Sequence, residues 1–288
     1  MGILGNGVCW KKQAMENRQN EKIVQCFELL YGMGRDQLWS GFSRYGCMQP
    51  TRGIPVPYYN EHSFPKSILE TVPSSILSMV GSLKTIDRED LQTRSEWLHW
   101  DLNPFASAGL DDYPMEFENE IDMKETLLRN PDYYFILENN ANTTVPRMQG
   151  ILSFTDCREQ DGGFVCVPGF HNHIKEYAEK MRHQLEVPTH CTFFQVPKGD
   201  SLFEQCQQVP VKAGSLIIFN SLLPHANMPN RSERFRLNQY IKMVPKKGSL
   251  DFKLARALII DTMKDKSFVP SETGNTIFGL DLLYGMND

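Results

Sequence analysis

A single mainly β domain, a barrel or sandwich with helical flanks, is the fold class that this 288-residue sequence predicts. Three observations carry that expectation. Short apolar runs separated by turn signals recur from residue 148 onward. Helical patterns sit at the two ends, over 11–31 and after 249. No internal repeat, low-complexity tract or linker divides the chain.

Residues 11–31, KKQAMENRQNEKIVQCFELLY, combine good helix formers with apolar residues at 23, 24, 27, 30 and 31, the spacing of one buried helix face. The following GMGRDQLWSGFSRYGCMQPTRGIPVPYYN is rich in glycine, proline and aromatics and reads as irregular chain laid over a core. Residues 65–80 read as a short helix broken at Pro73. Together these make 1–90 a helical N-terminal flank. From Leu91 the character changes: Leu91, Thr93, Ser95, Trp97, His99 and Asp101 share one parity, hence one side of a strand. An insert over 102–146 interrupts the strands. Its acids cluster in DDYPMEFENEIDMKE, and its aromatics Phe105, Tyr113, Phe117, Tyr133, Tyr134 and Phe135 suit either a substrate lid or an insert packed permanently on the barrel. Strands then follow in MQGILSFTD, FVCVPGFH, HCTFFQVP, QVPVKAGSLIIFN and RFRLNQYIKMVP, completing a barrel core over 91–245. The remainder, 246–288, reads as a helix to about Lys264 and a looping tail.

Apolar residues make up 41% and charged ones 23%, ordinary values for a globular chain with a sizeable core. The net charge of −5, with no long basic block, weighs against nucleic acid or an anionic membrane as partner. Seven cysteines without a CxxC pair argue against a disulfide framework or a zinc site and for a reducing compartment. The N-terminus lacks the pattern of a signal peptide, Asn6 stands where a myristoylation motif wants Ser or Thr, and no apolar window spans a bilayer. A cytoplasmic protein is expected. The sequons at Asn142 and Asn230 are of a kind that chance also produces.

The chemistry gathers around EWLHWDLNPF. A carboxylate in such aromatic surroundings is costly to bury without a partner, which Asp101 requires. His99 stands two positions before it, and His225 follows 126 residues after His99 (225 − 99), at the end of an apolar strand. Two histidines and one carboxylate with open positions are the preference of a non-haem Fe(II) site. Such a set covers one face of the ion and leaves room for a 2-oxoacid and O₂. Arg234 and Arg236 share parity on the next strand, and a buried guanidinium fork there suits the far carboxylate of 2-oxoglutarate. Arg236, eleven positions after His225, is favoured on spacing. Trp97 and Trp100 are expected to wall the site from water.

Taken together, HWD, DGGFVCVPGFH and the segment from His225 through NRSERFR resemble the phytanoyl-CoA dioxygenase-like family of Fe(II)/2-oxoglutarate oxygenases. The tail SETGNTIFGLDLLYG is similar to the family's Gly-rich ending, so the resemblance spans roughly residues 91–285. It implies a double-stranded β-helix, a jelly-roll or cupin-like barrel, with His99, Asp101 and His225 on iron and Arg236 on the cosubstrate. Asn227 stands where the family has a small hydroxyl residue, and still offers the cosubstrate a hydrogen bond. Phe170 follows the Pro-Gly corner where Ser or Thr is common, and the segment after HWD is longer than usual. Asp101 argues against halogenation, which needs a small residue there.

The function implied is an Fe(II)- and 2-oxoglutarate-dependent dioxygenase that uses O₂ to oxidise an unactivated C–H bond of a small-molecule metabolite. Hydroxylation, oxidative cyclisation and desaturation are all open to it, and natural-product biosynthesis is one setting. The alternatives are an acyl-CoA or protein hydroxylase of the same chemistry, or a non-catalytic β-barrel that only binds. An acyl-CoA would want a basic surface, and the acidic stretch 111–125 offers none. Nothing in the sequence speaks to an oligomeric state.

Overall fold

The computed structural model describes residues 4, 6–58, 82–111, 125–126, 147–184 and 191–284. The helix expected over 65–80, the Asn142 sequon and most of the 102–146 insert lie outside these residues.

In chain order the elements begin with α1 (Lys12–Arg18), α2 (Glu21–Tyr31), β1 (Leu38–Ser40), β2 (Tyr45–Met48), β3 (Ile54–Tyr58) and β4 (Ser82–Ile86). Then come β5 (His99–Trp100), α3 (Pro104–Ser107), β6 (Met148–Ser153), β7 (Phe164–Cys166), α4 (Ile174–Arg182), β8 (Phe194–Gln195) and β9 (Gln207–Gln208). The chain continues with β10 (Leu216–Asn220), β11 (His225–Asn227), β12 (Arg236–Pro245), α5 (Leu250–Met263), α6 (Glu272–Phe278) and α7 (Asp281–Tyr284).

Two five-stranded antiparallel sheets form a double-stranded β-helix. The larger runs β1-β12-β6-β10, with β2 also paired to β12, and the smaller runs β8-β5-β11-β7-β9. The sheets meet through Phe164 of β7 and Phe219 of β10, whose ring centroids lie 4.6 Å apart, and through the Asn227–Tyr240 hydrogen bond. The long strand β12 organises the molecule by its two-residue period. Its outward residues Ile241 and Met243 are fully buried under the helices, in a core with Phe27, Val24, Ile260 and Phe278. Burying each such side chain stabilises by roughly 1.5–3 kcal/mol. Its other parity, Arg236, Asn238, Tyr240 and Lys242, belongs to the inner face. Gly150 of β6 lies opposite Ile241, and a Cβ there would meet the Ile241 carbonyl at 2.8 Å.

The structure corrects several expectations. The stretch 1–90 is more than a helical flank, because β1 and β2 complete the larger sheet along β12. The single helix read over 11–31 divides at Asn20, whose side chain accepts from the Lys22 amide and starts α2 anew. Of the strand read from Leu91 only His99 and Trp100 pair, and Glu89–Leu91 is a 3-10 turn. The first residues of the insert pack into the core: Leu102 and Phe105 are buried, with Phe105 edge-on to Phe194. The tail beyond Lys264 folds into α6 and α7 rather than loops. Asn230 is buried, and its amide donates to the carbonyls of Gln49 and Arg234, which leaves it no role as a glycan acceptor. No helix among the described residues is long and apolar enough to cross a membrane.

Candidate metal centre

The smaller sheet brings His99 and His225 together. Strands β5 and β11 are antiparallel neighbours in which these two residues are direct partners, so their side chains leave the same face. Their ring centroids are 4.6 Å apart. Asp101 lies just past β5, where the chain turns, and its two oxygens stand 3.7 Å from the His99 Nε2 and 3.7 Å from the His225 Nε2. One ligand atom from each of the three residues falls within 4.8 Å of the others.

Both imidazoles are oriented by the same local device. The Nδ1 of His99 donates to the Trp97 carbonyl and that of His225 to the Leu223 carbonyl, each at 2.9 Å and each two residues back. A carbonyl can only accept, so Nδ1 carries the proton and the Nε2 lone pair faces Asp101. Burial, aided by the neighbouring His225, pushes the pKa of His99 down to about 4 against the pull of Asp101, which keeps this imidazole neutral near pH 7. For Asp101 burial alone would raise the pKa. The Lys242 ammonium outweighs it and holds the carboxyl well below its ordinary range. Two imidazoles and a carboxylate therefore converge, a donor set that fits Fe(II). The Asp101 side chain is 34% exposed, so the centre opens on one side.

Aromatic rings enclose the rest. Trp97 stacks on one side of His99 at 4.6 Å and Phe193 at 4.7 Å, while Phe219 lies 4.8 Å from His225. The Trp97 Nε1 donates to the Asn227 carbonyl at 2.9 Å, tying β11 to the segment before β5. Trp100 does not wall the site. It sits on the other parity, packs on Phe170, Tyr177 and Phe194, and donates to the Leu222 carbonyl.

Along the inner face of β12 lies a polar stripe with spare hydrogen-bonding capacity. Arg236 is 2% exposed, its Nε has no partner among the described residues, one terminal nitrogen contacts the Met48 sulfur at 3.9 Å, and the Cys157 thiol lies beside the guanidinium. Asn238, fully buried, has neither side-chain atom satisfied, and the Asn227 Oδ1 is likewise without a partner while its Nδ2 donates to the Tyr240 hydroxyl. Such orphans cost about 1–3 kcal/mol each and point to a polar guest. The contrast with two other buried arginines is sharp: Arg18 donates to the carbonyls of Cys9, Ala14, Gly41 and Ser43, and Arg256 to those of Ser40 and Phe278. Arg234 lies elsewhere, ion-paired to buried Asp161 with its side chain 40% exposed.

Sequence reasoning missed Asn238, Lys242 and Phe193. The first two share parity with Arg236, so the strand period was a signal for them.

The phytanoyl-CoA dioxygenase family profile matches residues 131–238. That stretch is similar to the phytanoyl-CoA dioxygenase family. It carries His225, Asn227, Arg234 and Arg236, while His99 and Asp101 precede it and join it only through the sheet. The family uses Fe(II) and 2-oxoglutarate, which the donor set and the orphaned inner stripe both suit. A phytanoyl-CoA dioxygenase-like protein of Dictyostelium discoideum is 31% identical over 150 residues, 51% of this chain. The match covers 40% of that relative's length. HygX from Streptomyces hygroscopicus, solved with nickel and 2-oxoglutarate, is 22% identical over 35% of this chain and 37% of its own, with a TM-score of 0.25. EvdO2 from Micromonospora carbonacea var. aurantiaca, complexed with 2-oxoglutarate, is 10% identical over 83% and 66%, with a TM-score of 0.37.

Proposed function

We propose that this protein is an Fe(II)- and 2-oxoglutarate-dependent dioxygenase that oxidises an unactivated C–H bond of a small-molecule metabolite. The observation that carries the reading is the pairing of two features on facing walls of one barrel. On one wall are His99, Asp101 and His225 with their free donor atoms converging. On the other is Arg236, a buried cation with no anion paired to it among the described residues.

In this reading His99 and His225 bind the metal through Nε2 and Asp101 through its carboxylate. The ion with its 2-oxoacid supplies the hard chemistry: use of O₂, oxidation of the 2-oxoacid to succinate and CO₂, and oxidation of the substrate C–H bond. The chain's own contribution is position and dryness. The Trp97 and Leu223 carbonyls hold the imidazole tautomers, so no proton shifts when the ligands engage. Arg236 takes the far carboxylate of 2-oxoglutarate, with Asn238 and Asn227 supplying further hydrogen bonds beside it. Arg234, engaged by Asp161, is left to structure. Trp97 and Phe193, on either side of the His99 ring, keep water from that flank and present an apolar surface beside the open side of the centre. That surface suits a substrate brought in by apolar contact rather than by phosphate recognition.

Anaerobic addition of Fe(II) and 2-oxoglutarate tests the reading through the weak visible charge-transfer band of the chelate. The band is expected in the parent and not in His225→Ala. A parent that forms no band and releases no succinate in a screen of metabolites refutes it.

A further inference from the structure

The residue nearest Asp101 that the reading above does not use is Lys242. Its ammonium lies 3.5 Å from the Asp101 Oδ2, the same oxygen that faces the His225 Nε2. Its side chain is only 14% exposed, unusual for a lysine, which ordinarily keeps its head in water. It extends from the inner face of β12, on the same parity as Arg236. The interior thus holds two cations in the neighbourhood of a site built for a third.

We propose that Lys242 is a resident counter-cation for Asp101 that makes capture of the metal depend on the 2-oxoacid; the inference rests on the metal reading above. Without metal, the ammonium compensates the carboxylate's charge in the barrel wall. When a divalent ion arrives it competes with Lys242 for that carboxylate and meets the like charge of its ammonium. Cationic repulsion at such range, at the effective dielectric of a partly buried site, changes a binding constant by an order of magnitude or more. A dianionic 2-oxoacid removes most of the positive excess. Metal and 2-oxoacid therefore strengthen each other's binding, by the same factor in both directions. Arg236 contributes to this coupling as the anchor of the dianion. Lys242 contributes by penalising the metal in its absence.

Calorimetric titration of the metal-free full chain with Co(II) alone, and with Co(II) plus saturating 2-oxoglutarate, tests the inference without relying on turnover. The parent is expected to bind Co(II) about tenfold or more tightly once 2-oxoglutarate is present. Lys242→Met is expected to bind Co(II) alone about tenfold tighter than the parent and to gain correspondingly less when 2-oxoglutarate is added, while Lys242→Arg keeps the parent's behaviour. Lys242→Met binding Co(II) no tighter than the parent, or Lys242→Arg behaving as Lys242→Met does, overturns it. A parent with equal Co(II) affinity in the two titrations overturns it without any variant. If the parent takes up no Co(II), or His225→Ala takes it up as well as the parent, the metal reading itself fails and this inference with it.

Discussion

Replacing Arg236 by methionine separates function from stability more cleanly than any other change in the barrel. The guanidinium is buried, its Nε is unpartnered, and the contact at 3.9 Å is to a thioether. In the ligand-free protein the side chain therefore loses hydration without full return. An apolar residue of similar length removes that penalty, so the unfolding free energy of Arg236→Met is expected to stay level or rise by about 1 kcal/mol. Binding of 2-oxoglutarate goes the other way. Losing the buried partner of a carboxylate costs about 3–5 kcal/mol, which is a weakening of about a hundredfold or more in Kd. Urea denaturation of the metal-free protein and anaerobic titration of 2-oxoglutarate against the Fe(II) form measure the two effects. Arg234→Ala is the control with reversed signs: it leaves the buried Asp161 carboxylate with the Arg158 amide but no cation and lowers the urea midpoint, while 2-oxoglutarate affinity holds. The reasoning is refuted if Arg236→Met binds 2-oxoglutarate like the parent, or if Arg234→Ala alone loses it.

Other expectations follow from the same geometry. His225→Ala removes one of three convergent donors, and its divalent-metal affinity, read by Co(II) titration, should fall about a hundredfold with the fold intact by circular dichroism. Burial raises the pKa of Cys166 to about 11. Its reactive thiolate is therefore scarce until pH nears that value, and at pH 8.5 only about 0.3% is present. Brief iodoacetamide treatment of the native protein at that pH should label exposed Cys26 and spare Cys166, with mass spectrometry of peptides as the readout; equal labelling would contradict the burial argument. Gly150→Ala sets a Cβ 2.8 Å from the Ile241 carbonyl and should cost about 1–3 kcal/mol by urea denaturation, with an unchanged midpoint as the contrary result.

The sequence by itself determined the chemistry of the centre. His99, Asp101, His225 and Arg236 are legible because the residue types are unusual in apolar strands and the strand period shows which of them share a side. It also determined β12, whose ten residues alternate long enough for periodicity to be read. The short strands were another matter. Leu38–Ser40 is buried at all three positions, so β1 shows no alternation, and β5 is two residues long. Their existence depends on partners far away in the chain. Only the tertiary structure decided that His99 and His225 are cross-strand partners, because a 126-residue separation (225 − 99) carries no register until β5 and β11 lie side by side. It also set the two arginines apart. Arg234, just before β12, found an anion in Asp161, Arg236 found none among the described residues, and that difference is a property of neighbours, not of sequence parity. Lys242 was the least readable: a lysine in a strand ordinarily marks a wet face, and here it turns inward because Asp101, placed by the other sheet, supplies the charge that makes burial affordable.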